Sequence, residues 1–205
     1  MVRAVLPRTM AISSGSGSGL EAWLDLQIAA GVDAVQLREK QLGDRALFEL
    51  TRRLVAAASG RCQVLVNGRA DLALAAGADG VHLPASGLPA GPLRRRCGQA
   101  FLIGRSTHTP REVERALAEG CDYALFGPLR PTPSKPGLVE PPGLSGLADA
   151  TRLGLPLLAL GGVEKPAELA AAAAAGAVGI AGIRGFAVAA SAQSLARAAQ
   201  EQWPR

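Results

Sequence analysis

Four helical segments of this chain end in almost the same phrase: Ala30-Gly31-Val32-Asp33-Ala34, Ala76-Gly77-Ala78-Asp79-Gly80, Glu119-Gly120-Cys121-Asp122-Tyr123 and Ala175-Gly176-Ala177-Val178-Gly179. Each puts a glycine where a helix stops, directly before an apolar run. A helix, glycine, strand phrase that recurs along one chain is the mark of successive βα units around a parallel sheet. Eight short apolar runs fit that rhythm: Met10-Ala11-Ile12, Ala34 to Leu37, Val64-Leu65-Val66, Gly80 to Leu83, Phe101-Leu102-Ile103, Tyr123 to Phe126, Leu157 to Leu160 and Gly179-Ile180-Ala181. Between them, Leu20 to Ala30, Arg45 to Ser59, Arg111 to Ala118 and Ala167 to Ala175 carry leucine and alanine at three- and four-residue spacing, which predicts outer helices. The pattern predicts an α/β fold, a small (β/α)8 TIM barrel forming a single domain over residues 1–205. An open doubly wound sheet shares the alternation but gathers its polar residues at one reversal of strand order, whereas here they follow many strands.

Lys and Arg outnumber Asp and Glu by 22 to 17, a net charge of +5 that mildly favours anionic ligands. The basic residues are scattered apart from Arg94-Arg95-Arg96, and aromatic residues are few, so nucleic acid is not an expected partner. Cys62, Cys97 and Cys121 are odd in number and far apart, without metal or disulfide spacing, which points to a reduced cytoplasm. Residues 1–12 are too short and broken for a signal peptide, and the longest apolar stretch, Leu169 to Ala177, is about half a membrane span, so no membrane partner is expected. The alanine-rich helices leave room for a homo-oligomer. Two segments interrupt the rhythm: Ser13 to Gly19 reads as a flexible loop, and residues 128–142, with six prolines, read as a candidate lid.

Barrel enzymes place their chemistry at the C-terminal ends of the strands. After the seventh and eighth strands come Gly161-Gly162 and Gly182-Ile183-Arg184-Gly185, turns whose backbone N–H groups can approach a phosphate closely. The second strand ends in Gln36-Leu37-Arg38-Glu39-Lys40, where alternation puts Gln36, Arg38 and Lys40 on one face. Two cations there would hold a carboxylate or phosphate, or else form an exposed charged strand end. Asn67-Gly68 is a favoured turn, and His82, between Val81 and Leu83, points inward as a core residue or a ligand contact. Past the fifth strand lie Ser106 and His108; Thr109 before Pro110 reads as a helix cap, leaving His108 over the mouth, suited to acid–base work. Thr132, Ser134 and Lys135 supply two hydroxyls and an amine on a proline-stiffened loop.

Taken in order, Gln36 to Lys40, Gly80 to Leu83, Ser106-Thr107-His108-Thr109, the stretch from Phe126 to Lys135 and Ala159-Leu160-Gly161-Gly162 resemble the thiamine phosphate synthase and thiazole tautomerase superfamily. The resemblance implies a small-molecule thiazole phosphate as ligand, with Gln36, Arg38, Lys40, Asn67, His82, Ser106, Thr132, Ser134 and Lys135 lining the site and Gly161, Gly162, Ile183 and Arg184 holding phosphate. Synthases of this superfamily carry two aspartates, after the third strand and in the loop after the fourth, that bind magnesium; this chain has Gly68 and Gly87 there. Glycine offers magnesium no side-chain oxygen, so no metal and no cofactor are expected unless the chain is a synthase after all. The departures favour the tautomerase branch: a metal-independent isomerase aromatising a thiazole carboxylate phosphate, with His108 as the catalytic proton carrier. A magnesium-dependent thiamine phosphate synthase, a transferase, and a non-catalytic thiazole-phosphate-binding regulator are the alternatives. Arg184 stands where relatives tend to carry serine.

Overall fold

The computed structural model describes residues 5–15, 18–131 and 141–204. Eight parallel strands, β1 (Thr9–Ile12), β2 (Ala34–Leu37), β3 (Gln63–Asn67), β4 (Gly80–Leu83), β5 (Leu102–Thr107), β6 (Tyr123–Phe126), β7 (Leu157–Leu160) and β8 (Gly179–Gly182), pair in chain order, and β8 returns to pair with β1. The helices α1 (Leu20–Ala30), α2 (Asp44–Ala58), α3 (Ala70–Ala76), α4 (Ala90–Cys97), α5 (Pro110–Ala118), α6 (Gly143–Thr151), α7 (Pro166–Ala174) and α8 (Ala189–Gln202) alternate with them, with a 3₁₀ turn at Arg184–Phe186. The chain is a single (β/α)8 barrel, as the recurring phrase predicts.

The phrase works through both of its marked residues. Gly31, Gly77, Gly120 and Gly176 take φ of 77°, 74°, 80° and 93°, the left-handed conformation that closes a helix and that a side chain disfavours. The aspartate two residues later ties neighbouring strands together at the N-terminal rim. Asp33 Oδ2 accepts from the amides of Arg8 (2.9 Å) and Thr9 (3.1 Å) at the start of β1, Asp79 Oδ2 from Val64 of β3 (2.8 Å), and Asp122 Oδ2 from Ile103 of β5 (2.7 Å). Asp122 is also ion-paired with Arg94 of α4. Where the fourth phrase has Val178, no such carboxylate joins β7 to β8.

Hydrophobic burial divides into two layers. One packs the outer faces of the strands against the helices, through residues such as Leu24, Val35, Leu54, Val81, Ile103, Val113 and Leu195. The other fills the barrel interior with Met10, Ile12, Leu65, Leu102, Tyr123, Leu125 and Leu158, leaving a cavity at the C-terminal rim. β5 runs to Thr107, past the three-residue run seen in the sequence, because Gly104 is a strand residue and not a turn. A Cβ there would lie 2.1 Å from Tyr123 Cζ, so glycine makes room for the interior ring. Among the described residues no helix is long and apolar enough to cross a membrane.

All three cysteines are free. Burial pushes the Cys62 thiol up to about 12 and the Cys121 thiol up to about 11, while Cys97 is raised by a shallower burial. Because the thiolate is the nucleophile, alkylation of the native protein near pH 8 should modify Cys97 first and leave Cys62 and Cys121 unlabelled until denaturant is added. Peptide mapping of iodoacetamide adducts checks this, and equal labelling of all three would contradict the burial order.

Candidate active site

The C-terminal rim encloses a cavity of about 140 Å³. Its walls come from strand ends around the ring: Ile12, Gln36 and Arg38, Asn67, His82, Ser106, Leu125 and Pro128, residues 160–164, and residues 181–185. Gln36, only 2% exposed, donates from Nε2 to Asn67 Oδ1 at 3.1 Å. Its Oε1 is buried without a hydrogen-bond partner among the described residues, an acceptor at the wall that a substrate N–H or O–H would satisfy. His82 Nε2 lies 2.9 Å from Ser106 Oγ, and Nδ1 lies 3.4 Å from Tyr123 Oη with the two rings stacked. The buried imidazole thus joins the hydroxyl at the wall to the tyrosine that plugs the interior. Arg38 is half-buried on the wall, and its guanidinium takes part in none of the ion pairs among the described residues. A guanidinium set against a cavity without a carboxylate partner is suited to an anionic ligand.

Two of the residues expected at the mouth lie elsewhere. Lys40 is exposed and off the cavity wall, because β2 ends at Leu37 and the chain turns. The turn is made by Glu39, which strand alternation would send outward but which is buried: its Oε1 accepts from Ser13 Oγ (2.5 Å) and the Gly15 amide (3.2 Å), and its Oε2 from Gln41 Nε2 (2.9 Å). Ser13 Oγ in turn accepts from the Arg38 amide at 2.8 Å, so this network sets where Arg38 leaves the strand. His108 is likewise absent from the wall. Its Nδ1 is held against the Gly127 carbonyl, and its amide donates to Glu112 Oε2 at 2.5 Å, while Thr109 caps α5 by accepting from the Glu112 amide at 3.3 Å. Thr132, Ser134 and Lys135 lie outside the described residues.

The two glycine turns follow β7 and β8, which lie on the far side of β1 from β2 in the closed ring. Gly161 and Gly162 have φ of 78° and 81°, and a Cβ on Gly162 would come within 2.9 Å of the Arg130 side chain. Gly162, Ile183 and Arg184 all line the cavity. Arg184 Nη2 is 2.7 Å from Glu164 Oε1, a wall residue that the sequence reading passed over, as it did Glu39 and Tyr123. Glu39 had one signal, a lone acid between Arg38 and Lys40 in a motif otherwise read as basic.

The residues at the two expected metal positions do not fit magnesium. Pro84 lies next to both: a Cβ on Gly68 would sit 3.8 Å from Pro84 Cδ, and one on Gly87 would sit 3.0 Å from the same atom and 3.0 Å from Pro84 O. A proline ring and two glycines present no side-chain oxygen to a hard cation. Among the described residues no group of three or more His, Cys, Asp or Glu is arranged to hold a metal ion.

Residues 9–186 match the family described as thiamine monophosphate synthase. The chain belongs to the thiamine monophosphate synthase family. Within it, the thiamine-phosphate synthase of Anaeromyxobacter dehalogenans is 48% identical over 137 residues, covering 66% of this chain and 62% of the relative, so the match spans less than two thirds of that protein's length. The thiamine-phosphate synthase of a Mycobacterium species (strain KMS) is 42% identical over 158 residues, covering 71% of this chain and 70% of the relative. Among solved structures, a thiamine phosphate pyrophosphorylase from Pyrococcus furiosus superposes with a TM-score of 0.84 over 95% of this chain and 96% of that one, at 23% identity, a likeness of fold.

These relatives overturn the expectation of an isomerase, since those named carry the name of a transferase, thiamine-phosphate synthase, and not of a thiazole tautomerase. The isomerase reading leaned on two glycines and one histidine. Gly68 and Gly87 record which side chains are missing without specifying a chemistry, and the histidine chosen as proton carrier sits off the cavity with its ring turned to the Gly127 carbonyl.

Proposed function

We propose that this chain is a transferase of the thiamine-phosphate synthase type, joining a hydroxymethylpyrimidine pyrophosphate to a thiazole phosphate. The observation that carries the reading is that one cavity is lined both by the glycine turns at 161–162 and 182–185 and by Arg38, whose guanidinium has no ion-pair partner among the described residues. In that arrangement the thiazole phosphate lies with its phosphate on the backbone amides of Gly162, Ile183 and Arg184. The pyrophosphate faces Arg38, and Gln36 with Asn67 holds the pyrimidine side of the cavity. A bond forms from the thiazole nitrogen to the pyrimidine methylene carbon while the bond from that carbon to the pyrophosphate oxygen breaks, and the pyrophosphate leaves with the electron pair. Negative charge then grows on the leaving oxygen. A fixed cation aimed at growing charge in a partly enclosed site is the kind of group that lowers such a barrier. Ser106, held by His82, and the apolar side chains of Ile12 and Leu125 complete a wall that excludes water from the reacting carbon. With glycine at 68 and 87, these turns hold no metal, and the charge of the leaving group falls to Arg38.

The test is incubation of the purified protein with both substrates, with magnesium and with a chelator in parallel, following thiamine phosphate by chromatography and pyrophosphate by a coupled assay. Equimolar appearance of both products is expected. Binding of the thiazole phosphate with no product under either condition would overturn the transferase reading and leave a binding protein.

A further inference from the structure

We infer that Arg184 is a phosphate-reading residue of this site, and that Glu164 is its competing anion, so that the pair sets how tightly the phosphate end is held; this rests on the proposed placement of a phosphate at the glycine turns. The two side chains arise on different turns, Glu164 just after Gly161-Gly162 and Arg184 at the start of the 3₁₀ turn that follows β8, yet they meet at 2.7 Å and both line the cavity. Both are partly open to solvent, 55% for Arg184 and 41% for Glu164, so the contact by itself adds little stability to the fold. Its place is what matters. A carboxylate at the rim of a phosphate site repels the ligand unless a cation offsets it, and Arg184 is the cation in contact with it.

The neighbouring charged pair, Glu168 and Arg130, is already engaged. Glu168 accepts from the amides of Glu164 (2.7 Å) and Lys165 (3.1 Å) and pairs with Arg130 at 2.9 Å, which fixes the backbone of Glu164 while leaving its carboxylate to Arg184. A guanidinium has five donors in a fork, enough to keep one carboxylate oxygen and reach a phosphate oxygen at the same time. Before a ligand arrives, Glu164 holds the fork at the cavity edge; when a phosphate enters, the fork is shared or transferred. The pair therefore acts in opposite directions on binding, Arg184 in favour and Glu164 against.

The experiment is calorimetric titration of the full chain with inorganic phosphate, a probe that does not depend on the transferase reading, using wild type, Arg184→Ala, Glu164→Gln and the double variant. Arg184→Ala is expected to weaken phosphate binding about tenfold, on the scale of one charge-assisted hydrogen bond plus an exposed repulsion. Glu164→Gln is expected to tighten it, and in the Arg184→Ala background to recover part of the lost affinity, with unfolding midpoints unchanged in all four proteins. That recovery is a readout a merely structural role for Arg184 would not produce. Wild-type affinity in Arg184→Ala, or no effect of Glu164→Gln in either background, would overturn the inference while leaving the glycine turns as a phosphate site. Failure of the wild type to bind phosphate would overturn both.

Discussion

Arg38→Ala is expected to lower kcat/KM for the joining reaction by about 10²–10³, the loss usual when one preorganised charge-stabilising donor is removed from an enclosed site. The loss should fall mainly on the step that expels pyrophosphate. Affinity for the thiazole phosphate, which the proposal places on the glycine turns and not on Arg38, should change by less than about threefold, as expected of groups that do not share a ligand. Arg38→Lys separates charge from geometry: an ammonium keeps the point charge but not the fork, so activity should be restored only in part. Steady-state kinetics with each substrate varied in turn checks all three statements. An Arg38→Ala enzyme with wild-type kcat/KM would remove the residue from the mechanism and leave its lack of an ion-pair partner among the described residues without a use.

Gly104→Ala is expected to strain the barrel interior strongly. One added methyl group would lie 2.1 Å from Tyr123 Cζ and 2.4 Å from Tyr123 Oη, and the ring has nowhere to retreat because it is fully buried among Met10, Leu65, Leu102 and Leu125. Overpacking of this kind costs about 3 kcal/mol, which for a domain of this size corresponds to a fall in the unfolding midpoint of about 6–12 °C. A smaller partner should relieve the clash, so Gly104→Ala combined with Tyr123→Leu should be less destabilised than the sum of the two single changes. Thermal unfolding of the four proteins followed by circular dichroism measures the coupling. Simple additivity would show that the two positions do not share space. Because Tyr123 also faces His82, the single variant should disturb the Ser106 contact as well, and its activity should fall further than its stability alone accounts for.

Much of this molecule could be read from the chain. The recurring helix-stop glycines mark four of the units and their order, and four strand ranges agree with the runs residue for residue, β2, β4, β6 and β7, two of them (β6 and β7) apolar throughout and ended by a glycine. β5 was short in the sequence reading because glycine at 104 looks like punctuation, and only the Tyr123 ring explains it as strand. The cavity wall was legible wherever the residue stands inside a strand, as with Gln36 and His82, or on a glycine turn. It failed past strand ends. Lys40 was assigned by extending the alternation beyond Leu37, but a hydrogen-bond network around Glu39, drawing on Ser13 and Gly15 from another loop, ends the strand and turns the chain. His108 reads as hanging over the mouth because Thr109 caps the next helix, and the cap is there, but the direction of the ring is set by the Gly127 carbonyl 19 positions away. Contacts between loops distant in sequence leave no periodic trace, which is also why the Glu164 and Arg184 pair was visible only once β7 and β8 lay side by side.

The aspartates of the helix-stop phrases have a bearing on how such a chain can change over time. All three fasten strands at the rim farthest from the cavity, so those contacts are independent of the side chains at its mouth. The side chains at 68 and 87 can therefore change without touching those aspartate contacts, and a proline can settle beside them. The architecture tolerates experiments in chemistry at one end because its assembly has been delegated to the other.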